Sequence, residues 1–116
     1  MPAYAFAHLH DPHLNAEVIE YIKRIQATLE PYGGRFVIHG GAIEVLEGSW
    51  QGDMVMIAFP SGADARAWYH SPVYQELIPL RADHIKGDIL IVEGVDEDYD
   101  AAAKIRTLEA QAGAAG

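Results

Sequence analysis

No cysteine occurs in the 116 residues, so disulfides, thiolate nucleophiles, thiolate zinc sites and iron–sulfur clusters are excluded together. Basic residues are scarce: 8 Lys and Arg stand against 17 Asp and Glu, a formal net charge of −9. Nucleic-acid affinity depends on cationic side chains displacing counterions from phosphates, so this balance argues against a nucleic-acid partner and against anionic membrane surfaces. No apolar run approaches the roughly 18 residues of a membrane helix, and "MPAYAFAHLHDP" has no basic stretch ahead of an apolar one. The expectation is a cytoplasmic protein with no membrane partner. Neither G-x-G-x-x-G nor G-x-x-x-x-G-K-[ST] is present, which removes the common phosphate cradles despite the Gly-Gly pairs at 33–34 and 40–41. G-x-S-x-G and paired-carboxylate motifs are missing as well, so hydrolase and glycosidase readings have no positive support.

What remains is a globular composition, 50% hydrophobic, on a chain long enough for one core. Alternation over residues 3–10 predicts a strand with Tyr4, Phe6, His8 and His10 on one side. Asp11-Pro12 reads as an N-cap and first helical residue, opening a helix to about residue 30 through Leu14, Val18, Tyr21, Ile22, Ile25 and Leu29. "PYGGRF" ends that helix and begins a strand over residues 35–39, with a second strand piece at 43–47. "GSWQG" reads as a hairpin turn before the apolar strand "DMVMIAF". Ser61 with Asp64, then Ser71-Pro72, cap two helical pieces, the second of which Pro79 is expected to break or kink, and residues 89–92 form the last strand. The order β-α-β-β-α-β predicts an α+β, ferredoxin-like fold: a four-stranded antiparallel sheet with helices on one face. Apolar residues are plentiful enough for both sheet faces, so a second copy is expected to cover the other one as a homodimer. Residues 96–116 are acidic and then alanine-rich, an appendage to a domain spanning 1–95, partly helical or disordered.

The stretches "YGGRF", "GGAIEVLEGSW", "FPS", "AWYHSPVYQ" and "LR", in this order, resemble the domain-of-unknown-function family 1330 within the dimeric α/β-barrel superfamily. The resemblance covers roughly residues 1–95 and includes Tyr32, Gly34, Arg35, Phe36, Glu47, Trp50, Trp68, Tyr69, Tyr74 and Arg81. It implies a ferredoxin-like protomer whose sheet faces that of a second protomer. It supplies no reaction.

A bulge at Gly40-Gly41 would flip side-chain parity and gather Arg35, His39 and Glu44 on one face, where Arg35 holds a carboxylate and His39 or Glu44 moves a proton. The competing reading is a plain Arg35–Glu44 ion pair on an edge strand. His8 is a candidate general acid or base, or else a hydrogen-bonded histidine at the dimer seam. Tyr69, Tyr74 and Arg81 form either core packing or one wall of a pocket with Arg81 gripping an anion. Trp50 is expected as a lid or dimer contact. His8, His10 and His13 match no helical ligand spacing and Asp11 is wanted as a cap, so neither metal nor cofactor is expected. Three functions follow: binding of a small apolar or carboxylated metabolite between sheet and helices, with cofactor-independent proton transfer or oxygenation conceivable; a non-catalytic dimeric module for ligand sensing or for stabilising a partner; or a histidine metal site. Whether the protein is an enzyme stays open.

Overall fold

A computed structural model describes residues 1–115. Four strands, β1 (Ala3–Leu9), β2 (Arg35–His39), β3 (Asp53–Phe59) and β4 (Gly87–Glu93), form one sheet in the order β2-β3-β1-β4, every neighbour antiparallel. Helix α1 (Ala16–Leu29) connects β1 to β2, and α2 (Gly62–His70), α3 (Pro72–Gln75) and α4 (Ile78–Ala82) connect β3 to β4. This is the ferredoxin-like plan that the order of elements predicts. No described helix is long and apolar enough to cross a membrane.

Register sorts the strands into two faces. Ala3, Ala5, Ala7 and Leu9 of β1 share the helix-covered face with Phe59, Ile57, Val55 and Asp53 of β3 and with Ile89 and Ile91 of β4. The core sits there, where Leu29 and Leu77 are fully buried and Ile25, Ile57, Phe59, Trp68 and Tyr74 nearly so. Burying a side chain of that size is worth about 1.5–3 kcal/mol. The opposite face carries Tyr4, Phe6, Met56, Leu90 and Val92, with Leu90 50% and Val92 46% exposed, so apolar side chains do populate both faces.

Local chemistry explains the element boundaries, some of which depart from expectation. Helix α1 begins at Asn15, whose side chain accepts from Val18 N at 2.9 Å, and not at Asp11-Pro12. Asparagine caps as well as aspartate does, and the later cap leaves Pro12, His13 and Leu14 as a non-helical approach. Ser61 and Ser71 cap α2 and α3 as predicted. Pro79 lies in the first turn of α4, where a missing N–H costs nothing, and the helical stretch that opens at Pro72 is broken just ahead of it, between α3 and α4, as expected.

The largest departure concerns residues 33–52. The bulge lies at Val37, between Phe36 and Ile38, and not at Gly40-Gly41. Gly40, with φ of 66°, ends the strand. Residues 43–47 form no strand: residues 41–49 are exposed loop, and β3 pairs with β2 directly. Apolar β-branched composition favours a strand only where a neighbour offers both hydrogen bonds and burial, and here β2 already occupies that edge of β3. The loop closes at Gly52, with φ of 99°, where an added Cβ would lie 1.9 Å from Leu9 O. Beyond β4, α5 (Ala101–Ala115) is helical and mostly exposed.

Candidate functional site

Between the sheet and the helices lies a cavity of about 370 Å³. Its walls are largely apolar, built from Ala5, Ala7, Val55 and Ile57 on the sheet and Val18, Ile22 and Ile25 on α1. Val18, Ile22 and Ile25 project from one side of α1 at helical spacing, which is why this amphipathic helix can roof the sheet and still line a space.

Polar groups enter at two depths. Arg81, 7% exposed, comes from α4; its guanidinium carbon lies 5.5 Å from the centre of the Tyr21 ring, and Nε makes no hydrogen bond. The described ion pairs, His10–Asp88 and His84–Glu17, do not involve Arg81. A buried guanidinium is favourable only when charge and donors are matched; against the pull of burial, Tyr21 and Tyr74 beside Arg81 hold its pKa up and meet part of that need, but no described ion pair gives it a carboxylate. The Tyr21 and Tyr74 hydroxyls lie 2.8 Å apart beside it. Burial holds the Tyr21 phenol far above the ordinary tyrosine range, with Tyr74 adding to the effect and Arg81 opposing it, so Tyr21 stays a neutral donor. The exposed His13 and His39 and the half-buried Asp53 form the rim. His39 stacks on Phe36 at 4.3 Å and 9°, which orients its ring.

Of the residues expected to act, His39, Tyr74 and Arg81 meet at this cavity and the others do not. Because the bulge lies at Val37, Phe36 and His39 turn to the helix face while Arg35 and Ile38 turn away. Arg35 and His39 therefore cannot share a ligand, and Glu44, exposed in the loop, joins neither. Tyr69 is half-buried outside the cavity, its ring 5.7 Å from Tyr74. His8 lies on the sheet face away from the helices, stacked on Trp50 at 4.1 Å, with Nε2 2.6 Å from Gln51 O. Trp50 donates through Nε1 to Gly52 O, which folds the loop onto His8. Tyr21 and Asp53 escaped notice as site residues. Tyr21 sits at core spacing in α1, and its hydroxyl acquires meaning only once α3 and α4 bring Tyr74 and Arg81 to it.

The architecture has solved counterparts. A Rhodopseudomonas palustris protein of unknown function superposes with a TM-score of 0.61 at 17% identity, over 82% of this chain and 83% of that one. A Jannaschia protein described as dimeric, ferredoxin-like and of unknown function gives 0.55 at 12% identity, over 81% and 100%. SnoaB from Streptomyces nogalater, described as a cofactor-independent oxygenase, gives 0.51 at 14% identity, over 85% and 96%. Identities this low establish the fold alone. No curated protein is a significant sequence match. The family model described as a domain of unknown function, DUF1330, matches residues 2–95.

Proposed function

The chain belongs to the DUF1330 family, and from that premise, which fixes a fold without an activity, we propose a cytoplasmic homodimer that binds a small apolar carboxylate in the cleft of each protomer. The observation that carries this reading is Arg81: a buried guanidinium with no carboxylate partner among the described ion pairs, on the wall of a cavity large enough for a metabolite. The ligand's carboxylate would meet Arg81 and the Tyr21 and Tyr74 hydroxyls, and its apolar body would lie along the alanines and valines of the sheet. His39 and Asp53 stand at the rim, where a proton of the bound molecule would be within reach. SnoaB, as a cofactor-independent oxygenase on this fold, supports such a cleft as a place for chemistry without a cofactor.

A melting screen tests the binding. Aromatic and branched aliphatic carboxylates are expected to raise Tm in a concentration-dependent manner, while their amides of equal size give little or no rise. Equal shifts for acid and amide, or none for either, would dismiss an anion-binding cleft.

The homodimer has its own support, because Tyr4, Phe6, Leu90 and Val92 form an apolar sheet face that water disfavours and the Jannaschia neighbour is described as dimeric. Light scattering is expected to give twice the 12.7 kDa of the chain, and Leu90→Asp to halve that mass by placing a charge on this apolar face. A wild-type monomer at micromolar concentration would refute it.

A further inference from the structure

On the sheet face away from the cleft, the end of β1 gathers a second group of functional side chains that the ligand-binding reading does not use. His8 and His10 are separated by one residue, so they point to the same face. In the β1–β4 register His8 stands opposite Asp88, and His10 N donates to Lys86 O at 2.9 Å, which extends the pairing beyond the strand's end. Asp88 consequently reaches both imidazoles: its Oδ2 lies 2.7 Å from His10 Nε2, and one donor atom from each of His8, His10 and Asp88 lies within 4.8 Å of the other two.

We propose that His8, His10 and Asp88 form a binding site for a divalent transition-metal ion of the zinc or iron(II) class. Two imidazoles and a carboxylate on one side of an ion leave further coordination positions open, and imidazole donors select such ions over magnesium and calcium. An ion about 2.0–2.2 Å from each donor needs them roughly 3–3.5 Å apart. The remaining closure falls chiefly to Asp88, whose side chain is 66% exposed in the single chain, with His10 at 38%.

The surroundings of His8 are those of a ligand and not of a stray surface histidine. Its Nε2 faces the Gln51 carbonyl at 2.6 Å. A carbonyl only accepts, so Nε2 carries a proton, and in the neutral ring Nδ1 is then the nitrogen left to bind an ion. Metal-bound histidines are typically held in this way, with the second ring nitrogen donating to a backbone carbonyl. Stacking on Trp50 at 4.1 Å and against His10 at 4.2 Å fixes the ring further. The carbonyl and the indole both come from the loop of residues 40–52, so an ion here would tie that loop to β1 and β4.

The sequence names His8 and His10 as a candidate histidine metal site but not the third ligand, because Asp88 is 78 residues from His10 and joins them only through the strand register. The cluster owes nothing to the cleft, which lies on the other side of the sheet. The test uses the full chain carrying no histidine tag, titrated with Zn²⁺ by calorimetry and with Co²⁺ by visible absorption. One ion per chain is expected, with visible bands showing nitrogen and oxygen donors, and no saturable binding of Mg²⁺. Asp88→Asn and His10→Gln, the first at an exposed and the second at a half-buried position, neither in the core, are each expected to weaken Zn²⁺ binding by at least the roughly 10–100-fold that loss of a mere supporting partner costs. His70→Gln, at the far end of α2, is expected to leave it unchanged. No binding by the wild type, wild-type affinity in Asp88→Asn and His10→Gln, or equal loss in His70→Gln would each overturn the site.

Discussion

Replacing Arg81 with methionine is expected to weaken carboxylate binding some thirtyfold or more and yet leave the ligand-free protein as stable as before, or more so. The two halves have one cause. Arg81 is 7% exposed and its Nε has no hydrogen-bond partner, so the free protein offsets the desolvation cost of a cation only through the Tyr21 and Tyr74 side chains and with no carboxylate among the described ion pairs. Methionine has similar length, no charge and enough flexibility to fill the space beside Tyr21. Exchanging buried charge for apolar volume is commonly neutral or stabilising by about 1–4 kcal/mol. For the ligand the sign reverses, since its carboxylate would enter the cavity and find no cation. Loss of one partner from such a buried pair costs about 2 kcal/mol or more, some thirtyfold in Kd. Arg81→Lys should fall between, retaining charge but not the planar fork. Urea melts give the first half and calorimetry the second. A methionine variant that binds carboxylates normally, or one that loses several kcal/mol of stability without ligand, would show that Arg81 holds the helices together and does not await an anion.

Trp68→Ala is expected to be the most destabilising single truncation in the core. The ring is 2% exposed, lies 4.1 Å from Tyr74 and 5.4 Å from Phe59, and donates through Nε1 to Thr28 Oγ1 at 3.0 Å. Thr28 Oγ1 in turn donates to Ile25 O at 2.7 Å, so α1 and α2 are joined through a short chain of hydrogen bonds. Truncating a tryptophan of this kind costs about 3–5 kcal/mol, a large part of the roughly 5–15 kcal/mol that holds a domain folded. The void would merge with the cleft, which Trp68 lines. Trp68→Phe keeps most of the burial and forfeits the hydrogen bond, for which about 1 kcal/mol is expected. A urea midpoint for Trp68→Ala within about 1 kcal/mol of wild type would mean that α2 repacks around the gap.

The β-α-β-β-α-β order was legible because it rests on strong local signals: the alternation in β1, the apolar run of β3, and the serines that cap α2 and α3. Within residues 33–52 the strand at 35–39 was legible too, but its bulge and the path of residues 40–52 were not. The glycines there mark points where the chain turns, but they do not say which residue a ladder leaves unpaired, and a bulge at Val37 in place of Gly40-Gly41 reverses the partners of His39. The family resemblance reached the same fold and stopped there too. Arg81 and Tyr74 could be nominated for a pocket wall, because an arginine and a tyrosine near a helix junction need polar company. Tyr21, Asp53 and Asp88 could not, since each gains its role from a residue far away in sequence. The face on which His8 lies did follow from alternation. What stands beside it there, Trp50 and Asp88, depended on a loop path and a strand register.

The central strand turns Ala3, Ala5 and Ala7 toward the helices where its neighbours β3 and β4 present Phe59, Ile57, Val55, Ile91 and Ile89. Ala5 and Ala7 line the cavity, so the empty space is in part the volume their methyl groups decline to fill. A central strand is the most rigid part of a sheet, and growing one of its side chains shortens the cavity without moving a helix or a loop. On the proposed reading, ligand length would be set by a ruler built into the scaffold, separate from the charge that Arg81 would read, and a single step from alanine to valine at position 7 would recalibrate it.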